Sequence, residues 1–82
     1  MVKTIIKVTS PTGVDVEKAE KLSGMAVSFK SVIEYTKGSF NANAKSVLSI
    51  LASQVMYGDE LEFTCEGEDE EEAMQKIKAF FA

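Results

Sequence analysis

The chain has 82 residues, of which 45% are hydrophobic and 27% are charged, and its formal net charge at pH 7 is −4. This length and ordinary composition predict one globular domain, residues 1–82, with one modest hydrophobic core. All nine basic residues are lysines and no histidine is present, so we expect neither a nucleic-acid-binding surface with arginine forks nor a structural zinc site.

The N-terminal segment alternates between two sets of side chains. Residues 2–8 place Val2, Thr4, Ile6 and Val8 on one side, which predicts a half-buried β-strand. The segment has neither the long apolar stretch nor the cleavage site of a signal peptide. No apolar run in the chain approaches the ~20 residues of a membrane-spanning helix. We therefore expect a cytoplasmic protein without a membrane partner.

A loop and then a helix follow the first strand. Proline and glycine in Ser10-Pro11-Thr12-Gly13 are typical of a loop. The helix is predicted from one apolar stripe with spacings of three and four residues. The stripe consists of Ala19, Leu22, Ala26 and Phe29. Asp15 is well placed as the N-cap, because its carboxylate can accept hydrogen bonds from free amides of the first turn.

The middle of the chain predicts a hairpin and a short helix. Residues 32–36 and 39–42 have the composition of strands, and Lys37-Gly38 is the expected tight turn between them. A short apolar helix is predicted at 47–51, with Ser46 as its N-cap.

Residues 60–66 give the clearest strand, with Leu61, Phe63 and Cys65 on one side. Cys65 is the only cysteine, so it cannot form an internal disulfide, and we expect a buried, unreactive thiol.

A final helix follows an acidic segment. Asp69 with Glu72 predicts a capping box, and Phe80 and Phe81 are expected to pack against the core. The acidic run at 66–72 lacks the ligand spacing and central glycine of a calcium loop, so we expect no metal partner.

The predicted order is strand, helix, strand, strand, helix, strand, helix. Each helix has one apolar stripe and the best-defined strand has one apolar side. An α+β fold follows, a two-layer sandwich with helices on one face of an antiparallel sheet.

Three segments of the chain resemble the HPr family, the small phosphocarriers of the bacterial sugar phosphotransferase system (PTS). They are Thr12-Gly13-Val14, Lys45-Ser46-Val47-Leu48-Ser49-Ile50-Leu51 and the acidic stretch Glu66 to Ala73. The resemblance covers essentially the whole chain and implies an HPr-like four-stranded sheet with the order 1-4-2-3. What it implies for function depends on the residues of the site rather than on the scaffold.

The family's phosphorylated histidine is replaced by Asp15. The family pattern His-Ala-Arg-Pro-Ala becomes Asp15-Val16-Glu17-Lys18-Ala19, so Glu17 occupies the arginine position and adds a negative charge near the acceptor position. Three interpretations of Asp15 remain open. It caps the helix, it permanently mimics the charged phosphorylated state, or it accepts a phosphoryl group as an acyl phosphate.

The resemblance also implies a regulatory site at Ser46. In Gram-positive HPr proteins an ATP-dependent kinase phosphorylates a serine in this segment, and the product is a corepressor for a sugar-responsive transcription regulator. Some relatives have lost the histidine and kept the serine. Val47, Leu48 and Leu51 would then contact the partner. The alternative is that Ser46 only caps a short helix and that these three residues fill the core.

The leading hypothesis is a PTS-related HPr-like protein that is not an enzyme, needs no cofactor and acts through protein partners. Candidate partners are an HPr kinase/phosphorylase, a transcription regulator or other PTS components. One alternative is an interaction domain unrelated to sugar uptake, which would bind through the altered surface around Asp15, Glu17 and Lys18. The other is a carrier that uses Asp15.

Overall fold

Four strands form one antiparallel sheet, and three helices cover one of its faces. A computed structural model describes residues 1–82. The elements are β1 (Val2–Lys7), α1 (Val16–Val27), β2 (Val32–Lys37), β3 (Phe40–Asn43), α2 (Val47–Ala52), β4 (Glu60–Glu66) and α3 (Glu70–Phe81). The strand order is β1-β4-β2-β3, so the predicted fold class and strand order are confirmed. None of the three helices combines the length and the hydropathy that crossing a membrane would require.

The core is centred on the inner face of β4, where Leu61, Phe63 and Cys65 are fully buried. The Phe63 ring lies 4.8 Å from the Tyr35 ring of β2 and 5.6 Å from the Phe81 ring of α3, measured between centroids. Burial raises the pKa of the Cys65 thiol, which keeps the sulfur in its unreactive protonated form. The prediction of a buried cysteine is confirmed, as is the packing of Phe80 and Phe81 against the core.

The predicted capping box at the start of α3 is wrong. Asp69 is the N-cap residue, but its side chain makes no capping hydrogen bond. Its carboxylate instead accepts hydrogen bonds from the backbone amides of Lys30 and Ser31, both at 2.9 Å, and from the Ser31 hydroxyl. These donors, the Ser31 hydroxyl first, lower the pKa of Asp69. The carboxylate of Glu70, not Glu72, accepts a bond from the Gly67 amide at 3.0 Å.

The hairpin turn lies one residue later than predicted. Lys37 pairs with Phe40 across β2 and β3, so Gly38 and Ser39 form the turn, and Gly38 has a φ of 60°. The Lys37 ammonium donates to the carbonyls of Ser53 at 3.2 Å and Gln54 at 2.5 Å. These contacts fasten the end of β2 to the segment that follows α2.

Replacing Gly24 with alanine is expected to stabilise the protein. Gly24 is an exposed position within α1, and a Cβ added there meets no atom within 4 Å. Because alanine loses less backbone entropy in a helix than glycine, the free energy of unfolding should rise by about 0.5–1 kcal/mol. Urea denaturation followed by circular dichroism measures this. An unchanged or lower midpoint would contradict the open environment of Gly24.

Candidate functional site

Asp15 caps α1, as predicted. Its backbone is extended, with φ −86° and ψ −174°, and its Oδ1 accepts a hydrogen bond from the Lys18 amide at 2.9 Å. The Asp15 carbonyl also accepts from the Ala19 amide at 2.8 Å. The side chain is exposed, but one of its two carboxylate oxygens is already occupied by the cap.

The loop that leads to Asp15 is fastened to the segment after α2. The Val14 amide donates to the Val55 carbonyl at 3.0 Å. Gly13 has a φ of 67°, and a Cβ on it would lie 2.8 Å from the Met56 Cα. Only glycine fits both the positive φ and this close approach of two backbones.

Lys18 turns towards the loop and is half-buried. Its ammonium donates to the Ser10 hydroxyl, to Thr12 Oγ1 at 3.5 Å and to the Gly13 carbonyl at 3.4 Å. Sequence reasoning missed this contact with Ser10, because the two residues are eight positions apart and no local pattern joins them.

The exposed charges of the first turn of α1 are therefore acidic. Glu17 is exposed, and its carboxylate lies 3.4 Å from the Lys21 ammonium in an exposed i,i+4 pair. Such a pair is weak in water. With Lys18 turned inward, Asp15 and Glu17 set the charge that a partner would meet at this end of α1.

Ser46 is the N-cap of α2, as predicted. Its backbone is extended, with φ −111° and ψ 117°, and its hydroxyl accepts from the Ser49 amide at 3.2 Å. The Ser46 carbonyl accepts from the Ile50 amide at 3.0 Å. The side chain is half-buried, and its hydroxyl makes a single long hydrogen bond.

Lys45 joins this segment to α1. Its ammonium donates to the Phe29 carbonyl at 2.8 Å, and its own carbonyl accepts from the Ser23 hydroxyl at 2.8 Å. The cation next to Ser46 in sequence is therefore bonded at the end of α1 and not at the Ser46 hydroxyl.

One side chain dominates the apolar surface beside Ser46. Leu48 is 81% exposed, whereas Val47 and Leu51 are half-buried and pack against the core. On α1, the exposed residues Val16 and Val27 lie on the same helix face as Ser23, which contacts the residue before α2.

Comparisons with known proteins agree with this architecture. The family model described as "PTS HPr component phosphorylation site" matches residues 2–82. The phosphocarrier protein HPr of Mycoplasma pneumoniae is 32% identical over 80 residues, which is 96% of this chain and 91% of that protein. The HPr-like protein Crh of Bacillus subtilis is 31% identical over 80 residues, 98% of this chain and 94% of Crh. A crystal structure of HPr from Thermoanaerobacter tengcongensis has a TM-score of 0.94 and 30% identity, and the match covers 99% of this chain and 91% of that one.

Proposed function

This chain belongs to the HPr family, and we propose that it acts there by protein–protein contact instead of carrying a phosphoryl group on histidine. The absence of histidine supports this most directly. At the family's histidine position, Asp15 uses one carboxylate oxygen to cap α1. The exposed Glu17 carboxylate nearby opposes the approach of a phosphate.

We propose that Ser46 is a regulatory phosphorylation site. Its side chain is half-buried, and its hydroxyl has one long bond, from the Ser49 amide. A phosphate there would add about −1.5 to −2 charges at the start of a helix, where backbone amides and the helix dipole favour negative charge. Because the Lys45 ammonium is bonded to the Phe29 carbonyl, the added charge would remain available to a partner.

The proposed partner surface is Leu48 with Val47 and Leu51 at its base. Leu48 is exposed and can contact a partner, whereas Val47 and Leu51 pack against the core and hold this part of α2 in place. Crh, a relative whose structure in solution is known, is the catabolite repression HPr of Bacillus subtilis. By analogy, the partners proposed here are a transcription regulator, an HPr kinase/phosphorylase or other PTS proteins.

Incubation with an HPr kinase and ATP tests this function. We expect the wild-type chain to gain one phosphoryl group by intact-mass measurement and the Ser46→Ala variant to gain none. Ser49→Ala is the matched control, because it removes a second hydroxyl from the same helix, one that accepts from the Asn43 amide at 2.8 Å. Circular dichroism should first establish that both variants are folded.

Two results would end the regulatory proposal. One is an unmodified wild-type chain under conditions in which ordinary HPr is fully modified. The other is a phosphoryl group that persists in Ser46→Ala and therefore lies elsewhere.

A second candidate function is an interaction domain unrelated to sugar uptake. The inward position of Lys18 favours it, because Asp15 and Glu17 are then the exposed charges beside the exposed side chain of Val16. Such a surface would suit a basic partner. Sugar permease or kinase genes next to its gene would support the first function, and an unrelated operon the second.

A further inference from the structure

A cleft of about 430 Å³ opens between the loop before α1, one flank of α1 and the end of α3. Its apolar wall includes Val14, Phe80 and Phe81, and its polar wall includes Ser10, Lys18 and Lys21. Two lysines and no acidic side chain line it, although the chain has 13 acidic and nine basic residues. The only charged side chains of the lining are therefore positive, in a protein of net negative charge, and the main chain of Ala82 completes the lining at the end of α3.

The charge of Lys18 is not neutralised by a carboxylate. All three acceptors of its ammonium, in Ser10, Thr12 and Gly13, are uncharged oxygens. Two of them, at 3.4 and 3.5 Å, lie beyond the usual range of a strong N–H···O bond. The ammonium is held in place by Ser10 and can still donate to an anion in the cleft.

Lys21 can add a second donor. Its partner Glu17 is 3.4 Å away, and the two side chains are 68% and 78% exposed. Exposed ion pairs of this kind contribute little and exchange readily. An anion beside Lys18 would therefore compete with Glu17 for the Lys21 ammonium.

The apolar wall is anchored to the core. The rings of Phe80 and Phe81 meet edge to face at 5.0 Å, and the Phe81 ring packs against buried Phe63 at 5.6 Å. An apolar group in the cleft would therefore contact a fixed aromatic surface.

We propose that this cleft binds a small organic anion. Its phosphate or carboxylate would lie at Lys18 and Lys21, and its apolar body would lie against Phe80 and Phe81. The volume falls within the range of small-molecule sites. At about 100° per residue, Lys18 is roughly 140° around α1 from Ser23, which faces the start of α2. The site is thus separate from Ser46 and does not depend on its phosphorylation.

NMR titration of the ¹⁵N-labelled chain with phenyl phosphate tests the proposal. We expect saturable shift changes concentrated at Ser10, Val14 and Phe81, at millimolar or lower concentrations of the ligand. Inorganic phosphate lacks the apolar body and benzyl alcohol lacks the charge, so each should bind more weakly.

Benzoate distinguishes the two possible anionic groups of the ligand. Tighter binding of benzoate assigns a carboxylate ligand, and tighter binding of phenyl phosphate assigns a phosphate ligand.

Lys18→Met should weaken phenyl phosphate binding about ten-fold or more, because a charge-assisted hydrogen bond is lost. Lys76→Met removes an exposed lysine of α3 outside the cleft and should bind as the wild type does. Thermal unfolding establishes that both variants are folded. The proposal is overturned if no shifts occur, if they spread over the exposed lysines, or if Lys18→Met retains full affinity.

Discussion

Enzyme I and phosphoenolpyruvate are expected to leave the wild-type chain without a phosphoryl group, in a mixture that fully phosphorylates ordinary HPr. No imidazole is present to accept the group. Asp15 has one oxygen bound to the Lys18 amide at 2.9 Å, and Glu17 adds a second negative charge. Intact-mass measurement gives the result directly.

The cap links positions 15 and 18 of this chain. A proline at position 18 would have no N–H to donate to the side chain at position 15. Lysine at 18 supplies that N–H, and Asp15 accepts from it. In this chain, position 15 has therefore become part of the helix terminus.

Restoring the family residues together should restore acceptance. We expect Asp15→His combined with Glu17→Arg and Lys18→Pro to be phosphorylated by the same mixture. Asp15→His alone should react far less, because it keeps Glu17 and has no guanidinium to receive the charge. A folded triple variant that stays unmodified would mean that the loss of phosphoryl acceptance extends beyond these three positions.

A hydroxylamine-sensitive acyl phosphate on the wild-type chain would instead support a carrier that uses Asp15.

The sequence predicts the scaffold well, because the determining patterns are local. Alternation alone places Leu61, Phe63 and Cys65 on the buried side of β4. The caps at Asp15 and Ser46 are also predictable, since each side chain bonds to the amide three residues ahead. Contacts of this range depend little on the rest of the fold.

The long polar side chains could not be placed from the sequence. Lys37 bonds to carbonyls 16 and 17 residues away, and Lys45 to a carbonyl 16 residues away. Asp69 bonds to amides 38 and 39 residues away. Flexible side chains have many possible partners, and the tertiary fold selects among them. The negative charge of the surface around Asp15 and Glu17 depends on the inward turn of Lys18. It could therefore be recognised only in the structure.

Gly13 lies where the loop before Asp15 contacts the segment that follows α2. Its loop precedes Asp15, and its backbone lies against the segment that follows α2, through the Val14 amide and the Val55 carbonyl. A side chain at position 13 would separate the two segments. It would break that hydrogen bond and displace the loop that holds the Lys18 ammonium.

Gly13→Ala is expected to lower the free energy of unfolding by about 2–4 kcal/mol, because backbone strain at positive φ adds to overpacking. This is a large part of the roughly 5–15 kcal/mol typical of small domains. Gly38→Ala is the matched control. Gly38 has a similar φ of 60°, but a Cβ there meets nothing within 4 Å, so its cost should be only about 1–2 kcal/mol. Urea denaturation of both variants separates the two contributions, and equal losses would mean that the contacts with the Val55 carbonyl and with Met56 are not tight.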